Sequence, residues 1–114
     1  IQSAAIAAVK PGVPAEEIYA LCGREYAKRG LTFRMGLVGH SLGVELHESP
    51  VLRQGETAPL LPGMVLNIEV SVTDEANTYY HLEDLLVVTE TGHRLLTLGL
   101  APPEIPCIGE ATVV

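Results

Sequence analysis

The sequence predicts an α+β chain in which a helical N-terminal part precedes a mostly antiparallel sheet. Three observations predict it. Apolar Ile18, Leu21, Cys22 and Tyr26 recur at helical spacing between Pro14 and Gly30. Beyond Gly30 the period changes to short β-type runs broken by Gly, Pro and Asn. Asp74-Glu75-Ala76-Asn77 then reads as a hairpin turn joining two of those runs.

The elements follow from local chemistry. Residues 1–9 read as the last turns of an Ala-rich helix, stopped by Pro11 and Gly12. Pro14 suits the first turn of a second helix, and Glu16 and Glu17 sit well at the positive end of its dipole. Lys28 and Arg29 suit the opposite end, and Gly30 provides the C-terminal stop. β-type segments are expected near 33–38, 43–47, 64–72, 78–89 and 93–97, with a loop over 53–63. Residues 101–114, with three prolines, read as an irregular tail.

Composition excludes several function classes. A formal net charge of −7, with seven Lys and Arg spread along the chain and only Lys28 and Arg29 adjacent, offers no basic patch for nucleic acid. No uninterrupted apolar stretch reaches the length of a membrane span. Cys22 and Cys107 have neither metal-ligand spacing nor a disulfide framework, so both read as free thiols, consistent with a cytoplasmic setting. The chain opens at Ile1 inside an uncapped helical pattern, which reads as a fragment of a longer protein.

The segment Gly39-His40-Ser41-Leu42-Gly43-Val44-Glu45-Leu46-His47-Glu48-Ser49-Pro50 carries most of the functional signal. Two histidines lie amid glycines and apolar residues, with a carboxylate directly after the second. Further on, Glu69 and Glu83 are embedded in apolar, strand-like runs. A carboxylate in such a run is costly to bury unpaired, so each should face a partner, a metal or a substrate. One His and two Glu converging from separate segments would form a nitrogen/oxygen site for a divalent cation.

Several motifs in fixed order, none sufficient alone, now carry a family resemblance. Gly39–Pro50, then Leu61-Pro62-Gly63-Met64-Val65-Leu66-Asn67-Ile68-Glu69, then Leu82-Glu83-Asp84 and Val87-Val88-Thr89-Glu90-Thr91-Gly92, resemble the C-terminal half of the catalytic domain of the "pita-bread" (creatinase/aminopeptidase) family, peptidase family M24. That family includes Xaa-Pro aminopeptidase, Xaa-Pro dipeptidase, methionine aminopeptidase and the metal-free creatinase. The resemblance implies a partial pita-bread domain over 1–100, with a curved sheet, followed by the tail 101–114.

The same resemblance implies site roles. His40, Glu69 and Glu83 would be ligands of two divalent ions (Mn, Co, Zn or Fe), with Glu83 bridging them. Glu69 would also shuttle a proton between the attacking water and the leaving amine, and His47 would contact substrate and the tetrahedral intermediate without ligating. Gly39 and Gly43 would let the backbone pass close to metal or substrate. Peptides would be the substrate and the intact protein a homo-oligomer. Glu45, Glu48 and Asp84 match no ligand position and read as outlying or surface residues.

Three positions depart from the family pattern. Val70 stands where Pro usually follows the first Glu, and His81 stands where Arg or Gln often precedes the second, so His81 reads as a substrate contact in its place. Two further Asp ligands would lie upstream of Ile1, and neither Asp74 nor Asp84 sits where they belong. The isolated fragment is therefore expected to be inactive. The residues leave two alternatives open: a metal-free creatinase-like hydrolase or related lyase, and a non-catalytic peptidase-like domain that binds partner proteins or peptides.

Overall fold

The computed structural model describes residues 1–100, and the reading of 101–114 as a tail falls outside them, as does Cys107. Two helices, α1 (Gln2–Ala8) and α2 (Ala15–Lys28), precede five strands. These are β1 (Gly39–Ser41), β2 (Glu48–Val51), β3 (Val65–Thr73), β4 (Tyr79–Val88) and β5 (His93–Leu95). They form one sheet in the order β2-β1-β3-β4-β5, with every pairing antiparallel. The α+β expectation holds.

α2 begins one residue later than the Pro14 signal suggests. Pro14 is the N-cap, held in an extended conformation by a bridge to Pro59, and the helix starts at Ala15. Glu16 and Glu17 occupy the first turn and Lys28 the last, matching the dipole at both ends. The helix stops where expected. The Gly30 N–H donates to Ala27 and the Leu31 N–H to Tyr26, a paired closure that satisfies the last carbonyls. Cys22 is a free, fully buried thiol on this helix, and desolvation pushes it up to about 11, leaving it unreactive at neutral pH.

The core lies between the helices and one face of the sheet. Successive strand residues point to opposite faces, so Leu66, Ile68 and Val70 of β3 and Leu86 and Val88 of β4 bury themselves with Ile6, Val9, Ile18 and Cys22. Gln2 donates to the Ile68 carbonyl and Tyr26 to that of Ser71, tying both helices to β3. The fourth histidine, His93, binds the Val9 carbonyl through Nδ1 at 2.9 Å and fastens β5 to α1.

Two strand expectations are corrected. Residues 33–38 and 43–47 form no strand, and the pairing falls instead on 39–41 and 48–51. The reason lies in the loop between them. The Glu48 carboxylate accepts the Glu45 N–H at 2.9 Å, and the Gly43 N–H donates to Glu45, folding 43–47 into bends. His47 consequently sits in the loop just before β2, not on a strand.

Candidate metal centre

The face of the sheet opposite the helices carries the polar residues, because register leaves them no other side. In β3–β4, Glu69 pairs directly with Glu83, Ser71 with His81 and Asn67 with Leu85. In β1–β3, His40 pairs with Asn67. Residues directly opposite in an antiparallel ladder share a face. His40, Asn67, Glu69, His81 and Glu83 therefore occupy one face of three adjacent strands. Asp84 turns away from it, opposite Ile68, and accepts the Thr97 hydroxyl.

Gly39 sets the position of His40. Its φ is 154°, and a Cβ there would lie 2.2 Å from the Asn67 carbonyl oxygen and 2.8 Å from Leu52. The missing side chain thus admits β3. At Gly43 a Cβ would meet the Glu48 carboxylate at 2.7 Å, so this glycine too makes room for a neighbouring residue.

His40 is only 4% exposed. Its Nδ1 lies 3.1 Å from the Ser41 carbonyl, which can only accept. Nδ1 is therefore the nitrogen that donates, and with it so engaged Nε2 is the one available to a metal. That Nε2 points to Glu69 Oε1 at 3.7 Å. The exposed ring of His47 packs beside it, with centroids 4.0 Å apart. Across the ladder, His81 Nε2 lies 3.3 Å from Glu69 Oε2 and 2.7 Å from Glu83 Oε1.

Two triads of donors result: His40, His47 and Glu69, then Glu69, His81 and Glu83. Within each, the ligand atoms lie within 4.8 Å of one another, and Glu69 belongs to both. Mixed imidazole and carboxylate donors at this spacing fit a borderline divalent cation. Two like charges directly opposite in a ladder also call for a positive partner. The sequence-predicted His40, Glu69 and Glu83 converge, and His47 and His81 join them. Asp74 does not. It accepts the Thr78 N–H in the β3–β4 turn, which with its other hydrogen bonds holds its carboxyl below the usual range.

Sequence reasoning missed Asn67. It lies on the site face beside His40, and its Oδ1 is the buried side-chain atom without a hydrogen-bond partner among the described residues. The only signal was an amide inside an otherwise apolar strand.

Comparison with known proteins decides the family. The model of metallopeptidase family M24 matches residues 1–90. The chain belongs to metallopeptidase family M24. The family is one of metallopeptidases, and the donor set above is compatible with a divalent metal. Among M24 relatives, the chain is 37% identical over 97 residues to the "Uncharacterized peptidase YqhT" of Bacillus subtilis, covering 84% of this chain and 28% of that protein. It is 34% identical over 97 residues to the Xaa-Pro dipeptidase of Lactobacillus helveticus, covering 84% of this chain and 26% of that one.

Solved M24 structures agree on the fold. The Xaa-Pro dipeptidase of Bacillus anthracis superposes with a TM-score of 0.81 at 28% identity, over 91% of this chain and 29% of that one. The dipeptidase PepE of Mycobacterium ulcerans gives 0.76 at 35% identity, over 82% of this chain and 26% of that one. The two helices and the open antiparallel sheet are thus part of a pita-bread fold. The chain spans 28% of the length of its B. subtilis relative. Among the described residues, no helix is long and apolar enough to cross a membrane.

Proposed function

We propose that the protein carrying this chain is a metal-dependent Xaa-Pro-type peptidase, hydrolysing dipeptides or the N-terminal end of peptides. His40, Glu69 and Glu83 would hold two divalent cations, drawn from Mn, Co, Zn or Fe. The observation that carries this reading is the convergence of those three residues from three strands onto one face, with His40 Nδ1 engaged by the Ser41 carbonyl and Nε2 turned to Glu69. Bound there, divalent cations supply Lewis-acid polarisation and lower the pKa of water.

The chain's own residues account for the rest. The Glu69 carboxylate, with its side chain 14% exposed, would take a proton from the attacking water and return it to the leaving amine. His47 stands on the solvent side of the buried His40 ring, where its N–H can donate to the oxygen that becomes negative in the transition state. The Ser41 carbonyl orients the His40 ring through Nδ1. The aliphatic face of the sheet packs in the core behind them.

Hydrolysis of Xaa-Pro dipeptides by the full-length protein tests the proposal. Activity should disappear on chelation and return with manganese or cobalt. Hydrolysis that survives a chelator, or no cleavage of any Xaa-Pro substrate after metal loading, contradicts it.

A further inference from the structure

Glu69 and Glu83 face each other across the ladder, where two negative charges repel. His81 meets both, with Nε2 2.7 Å from Glu83 Oε1 and 3.3 Å from Glu69 Oε2. A nitrogen lone pair aimed at two carboxylate oxygens is stable only with a positive centre between them. That centre is either a proton on Nε2 or a cation that all three atoms share. The three ligand atoms lie within 4.8 Å of one another, as donors to one cation must.

The other side of the ring bears on the choice. His81 Nδ1 lies 3.1 Å from the Tyr79 hydroxyl, and the two rings stack at 5.9 Å with 21° between their planes. A phenol oxygen can accept from Nδ1–H and leave Nε2 free to ligate. Ser41 imposes the same arrangement on His40.

We propose that His81 is a metal ligand, joining Glu69 and Glu83 around one divalent cation through Nε2 while Tyr79 orients the ring. The inference rests on the metal-site reading above and adds a second nitrogen donor to the set His40, Glu69 and Glu83. Glu69 is then the residue common to both triads. A second imidazole also moves the site away from magnesium and calcium and toward transition metals.

Cobalt(II) binding to the metal-free full-length protein tests this without recourse to activity. His81→Gln removes the nitrogen donor. His81→Arg also removes it but keeps a positive charge and hydrogen-bond donors facing both carboxylates. Both variants should keep the wild-type circular dichroism, since His81 lies on the exposed half of β4. Each should bind cobalt at least about tenfold more weakly. Each should also lose one paramagnetically shifted imidazole resonance in the cobalt-loaded spectrum. Wild-type cobalt affinity and an unchanged set of imidazole resonances in His81→Arg would make His81 a hydrogen-bond donor only and overturn the proposal. A wild-type protein that binds no cobalt would overturn the underlying metal reading instead.

Discussion

The two faces of β3 divide stability from chemistry. Leu66, Ile68 and Val70 point into the core, while Asn67, Glu69 and Ser71 point to the opposite side, where His40, His81 and Glu83 gather. Neighbouring residues on one strand therefore answer to different physics. The apolar set contributes burial, at roughly 25 cal/mol for each Å² removed from water. The polar set contributes donors whose mutual repulsion calls for a cation. Substitutions on one face should unfold the chain, and substitutions on the other should leave a folded chain with an impaired site.

The largest effect should come where both faces depend on one atom's absence. Gly39→Ala would drive a Cβ into the Asn67 carbonyl at 2.2 Å, and that atom belongs to backbone that cannot swing away. Its φ of 154° is also unfavourable for an L side chain. The expected cost is about 5 kcal/mol or more, read as loss of a cooperative thermal transition. A near-normal melt would mean that β1 tolerates a shift away from β3.

Ile68→Ala sharpens the core side. Ile68 is fully buried, and truncation there should cost about 2–5 kcal/mol in denaturant unfolding. Metal affinity of the fraction that remains folded should be unchanged, because Ile68 faces the helices. His47→Ala is the counterpart on the site face. It should lower kcat/KM about a hundredfold with metal content and melting temperature unchanged, the scale for removing one preorganised donor. Metal loss in His47→Ala equal to that in His40→Ala would make His47 a ligand, as its place in the first donor triad allows.

How much of this could be read from the sequence depended on element length. β3 and β4 run nine and ten residues, and the turn residues between them define the hairpin, so both strands and both glutamates were legible. β1 and β2 have three and four residues, too few for alternation to register, and their pairing is irregular between His40 and Ser41. His47 was accordingly expected on a strand and lies in a loop shaped by the Glu48 side chain. No periodicity encodes such a contact. Asn67 escaped for a related reason, since its exceptional feature is an unpaired oxygen that only the folded register creates.

The smallest predicted effect lies far from the sheet face. Lys28 and then Arg29, both at 2.6 Å, hold the Glu25 carboxyl down to about 2, from an ordinary 4.5. A lowered folded-state pKa contributes stability above the ordinary value and loses it as pH falls through the folded one. Wild-type melting should therefore drop between about pH 5 and pH 2, and Glu25→Gln should drop less across that window. Both cations are largely exposed, so the difference should be small. An identical acid profile for the two proteins would remove this pair from the account.

The most direct test of the division between faces is the metal content of Glu69→Gln in the full-length protein, read beside its melting temperature in chelator. Glu69 belongs to both donor triads, so its loss should strip metal more thoroughly than any other single change on that face. In chelator the variant should melt no lower than wild type, because neutralising one of two opposed carboxylates relieves repulsion in the metal-free sheet. Full metal loading in Glu69→Gln, or a melting temperature well below wild type in chelator, would show that Glu69 serves the fold and not a cation.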